Sequence, residues 1–87
     1  MTTKNIEIKN TEGLHARPAT YFIQKANSFR SSIWVENSDR RANAKSLLGV
    51  LSLGISQGDI ITILAEGPDE ESAVEGLVDL VISGFNK

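Results

Sequence analysis

Short segments with strand character alternate with segments of helical periodicity along this chain of 87 residues, and that order limits the folds available to it. From position 16 to 27, apolar residues recur at the i, i+3, i+4, i+7 spacing of one helix face, at Ala19, Phe22, Ile23 and Ala26. A short helix is predicted over 46–53, and a longer one follows residue 69. Runs typical of strands occupy residues 4–9, 31–36, 40–43 and 59–66. The predicted order is therefore β-α-β-β-α-β-α.

That order predicts an α+β protein with an open-faced two-layer sandwich, in which helices cover one face of a four-stranded antiparallel sheet. The first strand alternates apolar and polar residues, which indicates that the other face of the sheet is exposed to solvent. The length fits one domain spanning residues 1–87. Because the chain contains no cysteine, disulfides and thiolate metal sites are excluded, and we expect neither a metal site nor a cofactor.

Charge is unevenly distributed along the chain. Residues 1–58 carry eight Lys and Arg against four Asp and Glu, a net of +4, and residues 59–87 carry one lysine against seven acids, a net of −6. The last helix opens at Gly67-Pro68-Asp69-Glu70-Glu71, with acids at its positive end, and its apolar stripe is Ala73 or Val74, Leu77, Val78, Val81 and Phe85. The basic residues are scattered without interleaved aromatics, which argues against direct binding of nucleic acid. Acidic protein partners fit better, unless the asymmetry is accidental in so short a chain.

The N-terminal segment gives no sign of a targeting sequence. Met1-Thr2-Thr3-Lys4-Asn5 lacks an apolar core region, and no apolar run approaches the roughly 18 residues that a membrane span needs. We therefore expect a cytoplasmic protein that does not insert into a membrane.

The only histidine of the chain, His15, lies in the run Glu12-Gly13-Leu14-His15-Ala16-Arg17-Pro18-Ala19. Gly13 permits a sharp turn and Pro18 suits the first turn of a helix, so the imidazole is predicted at or just before a helix N-terminus. Such a position favours an anion, and histidine is a nucleophile that can hold a phosphoryl group covalently. Arg17 can bind phosphoryl oxygens with two donors, and Thr20 carries a hydroxyl one turn further on.

Other interpretations of this histidine are less well supported. A lone histidine is usually an ordinary surface side chain. A zinc enzyme needs more ligands than one histidine offers, and no cysteine or second histidine is present. A Ser-His-Asp hydrolase is conceivable, but so small a domain offers no obvious deep pocket.

The segment from Ser46 to Leu53 allows two interpretations. Its apolar residues lie nearly all round a helix of about two turns, so it is either buried in a tight core or leaves leucines exposed as a docking patch. Ser46 at the predicted N-cap either caps the helix or accepts a phosphoryl group beside Lys45.

Two motifs resemble the HPr family, the histidine-containing phosphocarriers of the bacterial phosphoenolpyruvate-dependent sugar phosphotransferase system, in its Gram-positive type. Gly13-Leu14-His15-Ala16-Arg17-Pro18-Ala19 is similar to the active-site signature of the family. The second motif, similar to its regulatory serine signature, is Asn43-Ala44-Lys45-Ser46-Leu47-Leu48-Gly49-Val50-Leu51-Ser52-Leu53-Gly54. The resemblance extends over essentially the whole chain without gaps, and the family fold has the element order predicted above.

The resemblance implies a stoichiometric carrier and no enzyme with independent turnover. His15 would accept a phosphoryl group on Nδ1 from the first enzyme of the system and pass it to sugar-specific second-enzyme A domains, with Arg17 stabilising the phosphoryl charge. Ser46 would be the target of the HPr kinase/phosphorylase, and its phosphorylation would promote binding to a LacI-type catabolite-control repressor. The implied docking residues are Thr20, Gln24, Leu47, Leu48 and Leu51. A monomer is expected.

Some residues depart from the family pattern. Many Gram-positive members have isoleucine and methionine where this chain has Leu47, Leu48 and Leu51, which keeps the patch apolar but affects the range of partners. Paralogues that act only in catabolite control lack the active histidine. Because this chain retains His15, the carrier role is favoured over a purely regulatory binding module.

Overall fold

The computed structural model describes residues 1–85, and the elements in that part of the chain follow the predicted order. They are β1 (Thr2–Glu7), α1 (Ala16–Asn27), β2 (Ser32–Asn37), β3 (Arg40–Asn43), α2 (Leu47–Ser52), β4 (Ile60–Glu66) and α3 (Glu70–Ile82). The predicted open α+β sandwich with one antiparallel sheet is confirmed.

The sheet has the strand order β1-β4-β2-β3, and every pair is antiparallel. Thr2 lies opposite Ala65 at one end of the β1–β4 pair, and Glu7 lies opposite Ile60 at the other. β4 is rich in isoleucine, which suits a pleated, largely buried surface, and it occupies a central position between β1 and β2. The last strand in the sequence therefore joins the first strand to the rest of the sheet.

The core lies between the sheet and the helices. Alternate residues of β4, Ile61 and Ile63 among them, are fully buried and belong to the same cluster as Phe22 of α1 and Leu77 of α3. Burying each of these large side chains stabilises the fold by about 1.5–3 kcal/mol.

The opposite face of the sheet is largely exposed but carries a small cluster of its own. Leu64 is only 6% exposed, although it lies outside the main core, and Trp34 is its partner in register on β2. Arg41 places its guanidinium 5.9 Å from the centre of the Trp34 ring and pairs with Glu36 at 2.6 Å. The alternation of residues in the first strand predicted that this face is exposed to solvent, and these contacts cover part of it.

Several element boundaries differ from the prediction, and two of the differences have a clear structural cause. β1 ends at Glu7, since beyond it Ile8 exchanges hydrogen bonds with the turn before β4, donating to the Asp59 carbonyl at 2.8 Å and accepting from the Gly58 N–H at 2.7 Å. Phe85 was assigned to the stripe of the last helix, but α3 ends at Ile82. The chain turns back through Gly84 at φ 73°, so Phe85 is buried from outside the helix.

Asp69 fixes the start of α3 to the loop before β2. Its carboxylate accepts hydrogen bonds from the Arg30 N–H at 2.9 Å, the Ser31 N–H at 2.9 Å and the Ser31 hydroxyl at 2.5 Å. These hydrogen bonds lower the pKa of Asp69 from its ordinary value of 3.8 to about 2, and the bond from the Ser31 hydroxyl has the largest effect, with that from the Arg30 N–H next. All three hydrogen bonds need the ionised carboxylate as acceptor. Their contribution to the stability of the fold is therefore largest above the ordinary pKa of aspartate.

The lowered pKa of Asp69 predicts a pH-dependent stability. Its contribution is fully present above pH 3.8 and is lost as the pH falls toward 2, because the unfolded chain then binds a proton that the folded chain resists. We expect Asp69→Asn to lower the unfolding midpoint in urea at pH 6, and the difference from the wild type to shrink between pH 4 and pH 2. Glu71→Gln, in the exposed first turn of the same helix, is the control for charge removal. An Asp69→Asn difference that stays constant over this range would contradict the assignment.

Candidate functional site

His15 lies at the N-cap of α1, which confirms the helix-terminal position predicted from Gly13 and Pro18. Its backbone is extended, with φ −127° and ψ 161°, and its side chain is exposed and makes no capping hydrogen bond. The first N–H groups of α1 therefore have no side-chain cap at this end. An exposed imidazole beside uncapped helix N–H groups can receive an anionic group from outside the protein.

The backbone on both sides of His15 has positive φ values. Gly13 has φ 63°, and a Cβ there would collide with the Ile55 carbonyl oxygen and approach Ser56 Cα to 2.9 Å. Ala16 has φ 54°, a left-handed conformation that costs a residue with a Cβ about 1–2 kcal/mol. Conformations of this kind concentrate at functional sites. Nothing in the sequence signals the strain at Ala16.

Arg17, Thr20 and Gln24 extend from the histidine along one face of α1. Their spacing of three and four residues brings them to neighbouring turns. Within residues 1–85, the exposed Arg17 guanidinium makes no ion pair with a protein carboxylate, so it is available to an external anion. The Thr20 hydroxyl donates to the Ala16 carbonyl at 3.3 Å, so its proton is used within the helix.

A groove of about 570 Å³ between α1 and α3 lies away from the histidine. Gln24 lines it together with Tyr21 and Lys25 of α1 and with Asp79 and Leu80 of α3. His15 is absent from its lining, and so this groove does not supply the substrate pocket that a hydrolase built on His15 needs.

Ser46 is the N-cap of α2, as predicted, and its Oγ accepts a hydrogen bond from the Gly49 N–H at 3.1 Å. The preceding residue is fixed to the C-terminal end of α1. Lys45 Nζ donates to the Phe29 carbonyl at 2.8 Å, and Asn27 Nδ2 donates to the Lys45 carbonyl at 3.2 Å. Ser46 therefore lies beside the end of α1 opposite to His15, and a helix of 12 residues is about 18 Å long.

The structure buries one part of the leucine-rich segment and exposes the other. Val50, Leu53 and Ile55 are buried in the core. The other residues form a leucine patch, consisting of Leu47 at 38% exposure, Leu48 at 80% and the partly buried Leu51. The sequence did not distinguish the two sides of α2, since apolar residues surround the helix and packing against α1 decides which are covered.

Removing the Ser46 cap has a predictable effect on stability. We expect Ser46→Ala to lower the free energy of unfolding by about 1 kcal/mol, because the Gly49 N–H loses its acceptor. Ser46→Asp keeps an acceptor at the N-cap and is expected to stay within a few tenths of a kcal/mol of the wild type. Urea unfolding of the three proteins measures both differences. Equal stability of Ser46→Ala and the wild type would show that the cap does not matter.

Two further features of the described residues concern metals and membranes. Among residues 1–85 there is no group of three or more His, Cys, Asp or Glu side chains that could hold a metal ion. The helices in that part of the chain are too short or too polar to span a bilayer.

The fold and the site define a small α+β domain, an open-faced β-α-β-β-α-β-α sandwich that exposes a histidine at the start of its first long helix. The family model for the PTS HPr component phosphorylation site matches residues 2–83. The chain therefore belongs to the HPr phosphocarrier family.

Individual relatives include proteins named as phosphocarriers and proteins named as HPr-like. The HPr-like protein Crh of Halalkalibacterium halodurans is 44% identical over 93% of this chain and 96% of its own length. The phosphocarrier protein HPr of Haemophilus influenzae is 46% identical over 93% and 95%.

Solved structures resemble the fold closely. A crystal structure of HPr from Thermoanaerobacter tengcongensis has a TM-score of 0.98 and 53% identity, and it covers 100% of this chain and 98% of its own. A crystal structure of an HPr dimer from the same organism, also 53% identical, has a TM-score of 0.80 and covers 100% of both chains.

Proposed function

We propose that this protein is a phosphoryl carrier of the sugar phosphotransferase system, with His15 as the group that carries the phosphate. The observation that supports this most directly is the exposed imidazole of His15 at the N-terminus of α1, where no side chain caps the helix. His15 Nδ1 attacks the phosphorus held by the first enzyme of the system, and the bond from phosphorus to the first enzyme breaks, leaving its electron pair on the first enzyme. In the second step an acceptor group of the A domain of a sugar-specific second enzyme attacks the same phosphorus, and the Nδ1–P bond breaks with its electron pair returning to the His15 imidazole.

The surroundings of His15 suit both the receipt of a phosphoryl group and its onward transfer. The N–H groups at the start of α1 and the Arg17 guanidinium lie beside His15 in the sequence and can stabilise the charge of the phosphoryl group. Because the site is exposed, water competes with these donors, and the bound group is not stabilised so strongly that onward transfer is blocked. In this proposal the protein has no turnover of its own, because each phosphoryl group that it receives is passed on, and the transfer uses no cofactor.

Partners of the carrier dock on the face around His15. In this proposal the docking residues are Thr20 and Gln24 on α1 together with the leucine patch on α2. Exposed leucines supply apolar contact, and basic residues on the same half of the chain favour partners with acidic surfaces.

Ser46 is the proposed site of regulatory phosphorylation by an HPr kinase/phosphorylase. A phosphoryl group there adds a charge of about −2 at a helix N-terminus and next to the leucine patch. Because Ser46 and His15 lie near opposite ends of α1, this charge acts on docking and does not touch the imidazole. Impaired transfer to His15 and binding to a LacI-type catabolite-control repressor are the proposed consequences.

A purely regulatory binding module is the second candidate. It is favoured by the similarity to Crh of Halalkalibacterium halodurans and by the position of Ser46 at a helix N-cap. The presence of His15 makes the carrier the better supported function.

A cytoplasmic monomer fits the carrier best, since one exposed face must serve several partners in turn. The similarity to an HPr dimer makes the oligomeric state a question for solution measurement.

Two separate phosphorylation reactions test the proposal by mass spectrometry. Incubation with phosphoenolpyruvate and the first enzyme is expected to add one phosphoryl group that is released in acid. Incubation with ATP and the serine kinase is expected to add one that resists acid, on Ser46. A protein that takes up only the ATP-dependent group would be the regulatory module, and the carrier proposal would fail.

A further inference from the structure

The peptide unit between Gly13 and Leu14 is held from both sides. Its carbonyl oxygen accepts a hydrogen bond from Asn10 Nδ2 at 2.9 Å, and its N–H donates to the Ile55 carbonyl at 3.1 Å. The Gly13 N–H also donates to the Asn10 carbonyl at 3.2 Å. Because the Leu14 side chain is fully buried as well, the plane of this peptide has little freedom to rotate.

The orientation of this peptide plane determines the direction in which the backbone continues into His15. Glycine offers little steric resistance to rotation of the peptide that follows it, so Gly13 by itself would not hold the plane. The conformations of the next two residues depend on the orientation of this peptide, since His15 has an extended backbone and Ala16 has φ 54°. Releasing one side of the peptide would therefore loosen the backbone on which the imidazole is mounted.

The side chain of Asn10 has one buried atom without a hydrogen-bond partner. Among the described residues, that atom is Oδ1. The amide cannot be turned to improve this, because its nitrogen must face the Gly13 carbonyl and its oxygen then points elsewhere. A buried carbonyl oxygen without a donor lowers stability and offsets much of what the Nδ2 hydrogen bond contributes. Asn10 is thus a poor choice for stability alone.

We propose that Asn10 is a positioning residue for phosphoryl transfer, which fixes the Gly13–Leu14 peptide and through it the orientation of His15. The inference rests on the proposed carrier function. It assigns Asn10 no contact with the phosphoryl group, and its effect is on the geometry of the reacting histidine.

The kinetics of phosphorylation by the first enzyme test this role. We expect Asn10→Ala to lower kcat about tenfold, because small displacements of a reacting group have effects of this size, and to leave the KM for the carrier within about twofold. Its unfolding midpoint is expected to stay close to that of the wild type, since one hydrogen bond and one unpaired buried oxygen are lost together. Asn10→Asp has nearly the same shape but no donor when ionised, and we expect the same loss of kcat.

Gln57→Ala is the matched control. Gln57 Nε2 donates to the Lys9 carbonyl at 3.0 Å, so this variant removes a side-chain hydrogen bond from the same loop but not from the Gly13–Leu14 peptide. Its kcat is expected to remain within about twofold of the wild type. A wild-type kcat in Asn10→Ala or Asn10→Asp, or an equal loss in Gln57→Ala, would overturn the inference while the carrier function stands. If the wild-type protein takes no phosphoryl group, both fail.

Discussion

Replacing His15 with alanine is expected to abolish phosphorylation by phosphoenolpyruvate and the first enzyme while leaving the fold intact. The imidazole is the proposed acceptor, and the sequence contains no other histidine. Since the side chain is exposed and makes no capping hydrogen bond, the free energy of unfolding is expected to change by less than about 0.5 kcal/mol. Intact-mass spectrometry and urea unfolding measure the two effects.

Arg17→Ala is the companion variant, since it retains the acceptor. We expect slower phosphorylation by roughly tenfold to a hundredfold, because charge-assisted hydrogen bonds contribute about 1.5–3 kcal/mol each.

An acid-labile phosphoryl group on His15→Ala would contradict the assignment of the acceptor. A loss of stability well above 1 kcal/mol in the same variant would instead indicate a structural role for the histidine.

Gly13→Ala is expected to be the most destabilising single-methyl substitution near the site. The residue has φ 63°, and the new Cβ would collide with the backbone of Ile55 and Ser56, neither of which is a flexible side chain. Conformational strain and overpacking each cost roughly 1–3 kcal/mol, so the combined loss is about 2–6 kcal/mol. For a domain of this size, each kcal/mol lowers Tm by about 4–8 °C.

Gly54→Ala separates the two causes. Gly54 has φ 60°, close to that of Gly13, but a Cβ at this position meets nothing within 4 Å. We expect a loss of about 1 kcal/mol from the backbone conformation alone. Thermal unfolding of both variants gives the contribution of the collision as the difference between them. Equal losses would mean that the loop around Ile55 moves aside without cost.

Local patterns in the sequence predicted the elements and the position of the histidine. The bounds of α1 followed from its apolar stripe, and Ser46 was identified as a cap because it precedes an apolar run. His15 was expected at the helix N-terminus from the turn and proline around it. These features depend on neighbours in the sequence, and so a single sequence contains enough information for them.

Features that depend on distant pairs were not predictable in the same way. The hydrogen bonds of Asp69 with Ser31, and the close approach of Gly13 to Ile55, join segments whose proximity follows only from the strand order. The exposure of Leu48 likewise depends on how α2 packs on α1. In each case the sequence pattern is compatible with several partners, and tertiary packing selects one.

The central position of β4 determines when the sheet can form during synthesis of the chain. β1 pairs only with β4, and the β2–β3 hairpin is joined to β1 through the same strand. A nascent chain that has not yet released residues 60–66 from the ribosome can form the hairpin and isolated helical turns, but not the sheet. Because these pairings are long-range, folding of the sheet waits until β4 is available and then proceeds cooperatively. The loop that carries His15 is therefore completed only after residue 66 has left the ribosome, when Ile55 and the strand after it lie beside residues that were made earlier.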